Sequence, residues 1–441
     1  MKINFVFDNF SDNGDAVHNV IPFKKETYFW GWLWYKTINK MLSYNNDIVS
    51  KHEINFIRPT DIKESNSPDE INIYPIFLHQ EEIHTPWPIL YLHKDIVDLV
   101  NNSYLKLGIL SIFGTFNVDY EKYKLQLGWY LKTTHIWKMS NVFVMSTDFG
   151  CVDIMNKPID TFHPEMILSS NREFVETPKF INANIYEKAI LNSLKDFNKE
   201  NMDFLDLYYQ DLNKEKLFFF VNNVPRKQRY LMFKLLEYNN LLENGFYSYR
   251  NKDTFNNHRD QYIGLQGKNI EQELIDEPKI YDFILNNQDI EPKLLDDDPF
   301  FDGQSNLLEN GSYINPKYIR DSYFSLICET GIWDSPKQIS EKTYKMFYYC
   351  QPFIVLGSPG YLKELNNLGY KTFPELFDES YDIMKPCLEK IKHIISEIGK
   401  YKTLEGKEIL KQKLIEIKPK LEHNRRLFLN KDHNEIWTKL L

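Results

Sequence analysis

The sequence predicts an α/β protein with two domains built on parallel sheets, followed by a helical C-terminal tail. Three observations predict it. A strand, helix, strand succession occupies residues 106–148, two further βαβ units occupy 217–249 and 323–373, and 441 residues exceed what a single hydrophobic core usually supports. Hydrophobic residues at 42% and aromatic residues at 15%, against 26% charged, supply material for such cores and give no ground for long disordered spans.

The opening "MKINFVFDNF" reads as a strand, because Asp8 and Asn9 end its apolar run too early for a signal peptide. "KLGILSIFG" (106–114) reads as a strand, "KYKLQLGWYLKTTH" (122–135) as a helix and "NVFVMSTD" (141–148) as a strand. Residues 158–215 read as helical and acidic, a passage between domains, with the boundary near 205. Beyond it, Leu217–Val221 is a short apolar run typical of a buried parallel strand, and 222–225 is a turn. A helix starts at Arg226, with Tyr230, Phe233, Leu236 and Leu241 near helical spacing; Gly245 stops it and "FYSY" resumes a strand. Residues 252–316, rich in Asn, Asp and Gly, read as a long excursion. Then come a strand "SYFSLICETG", a helix "SEKTYKMFYYC", a buried strand "PFIVLG", a helix "YLKELNNLG" closed by Gly369, and a last strand "YKTF". Two such units imply a Rossmann-like sheet. The expected domains are 1–205, 206–385 and a helical tail 386–441 that Pro419 interrupts.

Several classes are disfavoured at this level. No run approaches the roughly 18–20 apolar residues of a spanning helix, the densest being "YFWGWLWY" (28–35), so a cytoplasmic protein is expected. Cys151, Cys328, Cys350 and Cys387 lie far apart, without CxxC spacing or paired histidines, and read as buried free thiols. A net charge of -9 disfavours a general nucleic-acid binder, although residues 400–426 carry a local excess of Lys and Arg. "LLDDDPFFD" offers Asp296, Asp297 and Asp298 as a metal motif, but in an Asn- and Asp-rich stretch three carboxylates read as a solvated turn. No metal is assigned. "YFWGWLWYKTINKM" (28–41) reads as core rather than as a stacking surface, and "FDESYD" (377–382) as packing at a domain hinge.

The chemistry concentrates at helix starts. In open α/β sheets ligands bind outside the carboxyl ends of the strands, where helix N-termini offer N–H groups to anions. Ser340 is a good N-cap, which puts Glu341 and Lys342 in the first helical turn. A carboxylate there suits the helix dipole; a lysine opposes it unless a phosphate is bound nearby. A glutamate able to accept from ribose hydroxyls beside such a lysine describes a nucleotide site, and the alternative is a first-turn acid beside a solvent-facing lysine. The other unit repeats the feature, with Arg226, Lys227 and Arg229 around a helix start.

"SYFSLICETGIWDSPKQISEKTYKMFYYCQPFIVLG" resembles the donor-binding signature of inverting α-1,3-type fucosyltransferases, in which a strand ending in Glu-Asn precedes Thr-Glu-Lys at a helix start. "FFFVNNVPRKQRYLMFKLLEYNNLLENGFYSY" and "PFIVLGSPGYLKELNNLGYKTFPELFDESYD" resemble glycosyltransferase-like proteins of large DNA viruses and tailed phages. The resemblance covers roughly 217–250 and 323–382. It implies a GT-B architecture of two Rossmann-like domains, the second holding a nucleotide sugar and the first admitting the acceptor, in the host cytoplasm if the protein is viral. It further implies that Glu341 contacts the ribose, that Lys342 and Arg226 neutralise the diphosphate, and that Glu329 matches the strand-end Glu. Thr330 stands where the family has Asn and Ser340 where it has Thr, which leaves the base and the sugar open.

A departing nucleoside diphosphate can be stabilised by fixed cations in place of a metal, here Lys342, Arg226 and one of Lys227 or Arg229. An inverting transfer also needs a carboxylate to take the acceptor proton, and Asp119 and Glu121 are candidates after a strand end, with ordinary loop acids as the alternative. The expected partners are a nucleotide sugar, as co-substrate rather than cofactor, and a glycan or other hydroxyl acceptor. A DNA-modifying glycosyltransferase, another nucleotide-handling enzyme sharing only the fold, and a non-catalytic nucleotide- or glycan-binding module are the alternatives.

Overall fold

The computed structural model describes residues 2–7, 9–10, 16–17, 53–62, 69–78, 92–111, 133–146, 178–182, 203–222, 227–249, 276–286, 316–329, 339–385 and 388–431, with isolated positions between. The chain divides into two compact units, one of Met1–Gly114, Val118–Ile185 and Asp432–Leu441, the other of Thr115–Asn117 and Tyr186–Lys431. Both carry a parallel sheet. No helix among the described residues is long and apolar enough to cross a membrane.

The first unit contains β1 (Lys2–Val6), β2 (Asn9–Phe10), β3 (Ala16–Val17), β4 (Glu53–Ile57), β5 (Glu70–Leu78), helix α1 (Lys94–Asn101), β6 (Lys106–Ser111), β7 (Val142–Ser146) and β8 (Lys179–Asn182). Apart from the short antiparallel pair β2 and β3, the strands form one sheet in the order β4-β1-β5-β6-β7-β8. Every pairing within it is parallel. Asparagines pin the register at its β4 side. Asn4, Asn55 and Asn72 are register partners; Asn4 Nδ2 donates to Asn72 Oδ1 at 2.7 Å and Asn55 Nδ2 donates to Asn4 Oδ1 at 3.2 Å. The strands expected at 106–114 and 141–148 are present, and the described positions within 122–135 begin as helix. β8 corrects the reading of 158–215 as helical throughout, since four residues pairing with β7 are too few to carry a period.

The second unit contains α2 (Phe204–Tyr209), β9 (Lys216–Asn222), α3 (Lys227–Tyr238), β10 (Gly245–Tyr249), α4 (Pro278–Asn286), α5 (Pro316–Arg320), β11 (Ser322–Cys328), α6 (Glu341–Tyr349), β12 (Phe353–Leu356), α7 (Tyr361–Asn367), α8 (Leu388–Gly399) and α9 (Leu404–Asn430). Its strands pair in the order β10-β9-β11-β12, all parallel. The chain winds outward from β9 to β10, then returns to add β11 on the other side. The strand order therefore reverses between β9 and β11, where an open α/β sheet forms its ligand crevice.

Alternation along the strands assigns the helices to faces. Phe233 of α3 packs on Tyr247 and Tyr249 of β10, ring centroids 5.4 and 4.9 Å apart, and α4 and α8 pack on α3. On the opposite face Tyr318 of α5 stacks on Phe219 of β9. Phe204 of α2 packs on Tyr348 and Tyr349 of α6, and Tyr344 of α6 stacks on Phe428 of α9 at 5.9 Å.

Four expectations in this unit are corrected. Gly245 does not stop α3; the helix ends at Tyr238, Asn240 takes the left-handed conformation at φ 53°, and Gly245 opens β10 where a Cβ would lie 2.1 Å from the Phe218 ring. The excursion 252–316 contains α4 and the first residue of α5, helices obscured in sequence by their Asn- and Asp-rich surroundings. "YKTF" is not a strand, because the amide of Asn424 on α9 supplies the backbone partner a neighbouring strand would have supplied. Lys371 N donates to Asn424 Oδ1 at 2.7 Å, and Asn424 Nδ2 donates to Lys371 O at 2.8 Å. Pro419 does not interrupt α9: it lies on the exposed side, one turn after the exposed Ile415, where water can take the carbonyl left without an N–H partner. The Gly369 closure of α7 holds as a left-handed cap at φ 90°, with Gly369 N bonded to Asn366 O and Tyr370 N to Leu365 O.

Asn424 is 1% exposed, so its loss leaves two backbone groups of Lys371 without their partner. Asn424→Ala is expected to destabilise the second unit by about 2–4 kcal/mol. Urea unfolding of the full chain measures it, and a loss near zero would assign the anchoring of α9 to its apolar face alone.

Candidate functional site

The carboxyl edge of the second sheet has three described helix entrances, and they are not equivalent. That of α7 is filled from within: Asp382 accepts from Leu362 N at 2.9 Å and Lys363 N at 3.2 Å, and its carbonyl accepts from Gly360 N. This is the structural work of the 377–382 stretch, which packs within the second unit through the buried Phe377 and Tyr381.

The α6 entrance begins as the capping pattern predicts. Ser340 has extended backbone geometry, and its Oγ accepts from Lys342 N at 3.2 Å. The buried Glu329, immediately after β11, ties this entrance to its surroundings. Its Oε1 accepts from Ser340 N at 3.2 Å, from Tyr361 Oη at 2.6 Å and from Thr343 Oγ1 at 3.4 Å, while its backbone N–H continues the ladder to Leu356 O. Thr343 and Tyr361 also share a 2.8 Å hydrogen bond. One carboxyl thus fixes the end of β11, the start of α6 and the start of α7.

Lys342 lies between two acids. Its Nζ is 2.8 Å from Glu341 Oε1, 3.3 Å from Ser340 Oγ and 3.8 Å from Glu329 Oε2. Burial pushes the Glu341 carboxyl up, but Lys342 and Lys345 beside it, with hydrogen bonds from Lys342 Nζ and its own backbone N–H, hold it at about 2. Lys342 therefore folds back onto the site and does not simply point to water.

The α3 entrance contributes Arg229, which is 3% exposed. Burial lowers the pKa of its guanidinium, and Cys328, Glu341 and Glu329 oppose that shift, which places the cation beside the acids of the other entrance. Gln228 Nε2 bridges the two entrances by donating to Glu329 O at 3.3 Å. Burial also pushes the Cys328 thiol up to about 12, against the lowering effect of Arg229 and Lys342, so it is inert as a nucleophile at neutral pH.

Arg229, Glu329, Ser340, Glu341 and Lys342 are brought together at the crevice where the strand order reverses. Lys227 begins α3. Arg226, Asp119, Glu121, Thr330 and Asp296–Asp298 lie outside the described residues, as do Cys151 and Cys387; Cys328 and Cys350 are buried free thiols. Comparison with protein families, with curated proteins and with solved structures finds no match. The site is therefore read from its own geometry.

Sequence reasoning missed Tyr361, Thr343 and Gln228. Thr343 carried a local signal, being one residue past the basic position of the capped turn, but Tyr361 and Gln228 meet Glu329 only through tertiary packing. Two other features lie elsewhere in the unit. Asp378, His393 and Glu397 present metal-ligand atoms within 4.8 Å of one another, but Glu397 already accepts from Asp378 N at 2.8 Å and pairs with Lys400. A cavity of about 450 Å³ opens between α3, α4 and α8, lined by Leu235, Tyr238, Ile280 and Ile395. Tyr238 is the last residue of α3, which puts this cavity at the opposite edge of the sheet from the crevice.

The low Glu341 pKa fixes the sign of one pH effect. A carboxyl held at about 2, against an ordinary 4.5, contributes stability that is complete above pH 4.5 and is lost as pH falls toward 2. Comparing the parent with Glu341→Gln by urea unfolding across that window should show the parent's advantage shrinking toward pH 2. An advantage independent of pH would mean that Lys342 and Lys345 do not stabilise the ionised form.

Proposed function

We propose that this chain is a glycosyltransferase of GT-B type that moves a sugar from a nucleoside-diphosphate sugar to a hydroxyl acceptor, with inversion. The observation that carries the reading is that the α3 and α6 entrances are tied together at the β9–β11 crevice, Gln228 donating to Glu329 O next to the buried Arg229 while Lys342 pairs with Glu341. A nucleoside diphosphate leaves as a polyanion, and cations fixed in a partly dry site stabilise it more than water would. Glu341, ionised at neutral pH, is a suitable acceptor for ribose hydroxyls. Glu329 acts as a positioning residue that holds Ser340 and hence the first turn of α6. Asp119 or Glu121 is the proposed base for the acceptor hydroxyl.

A glycan or other hydroxyl acceptor is favoured over a modified base in DNA, in the cytoplasm. Cations of α9 are spent within the unit: Lys420 pairs with Glu375 at 2.6 Å, Arg425 with Asp203 at 3.3 Å, Lys411 bonds to Asn213, and Lys418 sits over the Tyr209 ring.

The reading is tested by incubating the full chain with a panel of sugar nucleotides and measuring nucleoside diphosphate release. Lys342→Ala is expected to lower turnover by about 10²–10³-fold. Its melting temperature should fall only modestly, because the ion pair it loses with Glu341 is partly exposed, while turnover falls by orders of magnitude. Absence of turnover and of thermal stabilisation across the panel would overturn the reading; equal loss of fold and activity in the variant would give Lys342 a structural role.

A further inference from the structure

The α6 entrance is self-capped. Ser340 N donates to Glu329, Glu341 N to its own carboxyl and Lys342 N to Ser340 Oγ, so three consecutive N–H groups have partners within the chain. The α3 entrance has a different floor. Asn222, the last residue of β9, and Tyr249, the last residue of β10, are register partners and so project from the same face of the sheet. That face is the α3 face, because the Tyr249 ring packs on Phe233. The two residues are 2% and 1% exposed, and among the described residues Asn222 Nδ2 and Tyr249 Oη have no hydrogen-bond partner.

Unpartnered buried polar atoms are rare because each forfeits its hydration without return. Two of them, side by side at the carboxyl ends of adjacent strands, lie next to a helix start that carries the buried Arg229. An amide Nδ2 only donates, a phenol can donate, and a guanidinium only donates. The group that satisfies the Asn222 amide and the Tyr249 phenol, and suits a guanidinium in the first turn of α3, is an oxyanion with several acceptor oxygens.

We propose that Asn222 and Tyr249 form a phosphoryl subsite at the start of α3, with Arg229 supplying the charge, so that the diphosphate sits on α3 and not on α6. This rests on the nucleoside-diphosphate reading of the crevice and divides the labour within it: α3 holds phosphate, and α6 contributes Lys342 and Glu341 as side chains. Ser248, whose Oγ is also buried and unpartnered, precedes Tyr249 and projects from the opposite face; it is outside the subsite.

The test is calorimetric titration of inorganic pyrophosphate into the full chain and into Asn222→Ala, Tyr249→Phe and Ser248→Ala. Asn222→Ala and Tyr249→Phe should each weaken pyrophosphate by about tenfold or more, the effect of one hydrogen bond to a charged group. Ser248→Ala should leave it unchanged. Unliganded Asn222→Ala and Tyr249→Phe should melt at or above the parent temperature, because each removes an atom that lacks a partner; a merely structural role predicts the reverse. Tyr249→Phe decides alone if Asn222→Ala does not fold. Equal pyrophosphate affinity in the parent and both subsite variants, or no binding to the parent, overturns the subsite. If sugar nucleotides are nevertheless turned over, the glycosyltransferase reading survives that failure. If pyrophosphate follows the expected pattern but no sugar nucleotide is bound or turned over, the subsite stands and the functional reading falls.

Discussion

The second unit depends on the pairing of β9 with two neighbours that the chain reaches in opposite directions. Once β10 lies on one side and β11 on the other, α3 and α6 must leave the sheet toward opposite faces, because parallel crossovers are right-handed. The two helix starts then flank the crevice between β9 and β11. The side chains of the candidate site lie at that crevice: Gln228 of α3 donates to Glu329 O, Glu329 holds Ser340 at the start of α6, and Arg229 is buried in the first turn of α3. The crevice is a topological consequence, and the residues in it are the chemical choice.

That choice is visible in how differently the helix starts are furnished. α7 receives a carboxylate from its own unit, Asp382, and has no further need of an anion. α6 receives Glu329 and Glu341, which offset the dipole, and then adds Lys342, which restores positive charge at the mouth. α3 is preceded by Asn222 and carries Arg229, with no carboxylate of its own in its first turn.

Much of this fold was legible because its buried strands are short apolar runs bounded by strong local signals. "PFIVLG" and "SYFSLIC" could be little else, and Ser340 and Gly369 mark helix ends through side-chain and backbone chemistry that acts within four residues. Illegible elements lacked such local causes. β8 is a strand because β7 offers an edge, "YKTF" fails to be one because Asn424 arrives from residue 424, and Pro419 is tolerated because its side of α9 faces water. The site divides the same way. Glu341 and Lys342 stood out because a lysine opposes the dipole in a capped turn, whereas Tyr361 meets Glu329 only through helix packing and Asn222 and Tyr249 are brought side by side only by strand register.

The arrangement also carries a cost that its surroundings must offset. Burying Arg229 and Glu329 in place of well-packed apolar side chains gains little and often loses stability. Leaving Asn222 and Tyr249 without partners loses more. Against this the unit sets a dense aromatic core on the α6 side: Phe347 stacks on Tyr370 at 4.0 Å, Phe353 packs edge-on to Phe373, and Tyr344 meets Phe428. α9 closes this core over 27 residues and clamps the segment after α7 through Lys420, His423 and Asn424. The long terminal helix lies far in sequence from the crevice, yet it packs directly on α6, the helix whose first turn carries Lys342 and Glu341. Tyr344, stacked on Phe428 of α9, follows Lys342 by two residues, so α9 supports the first turn of α6 as well as the fold.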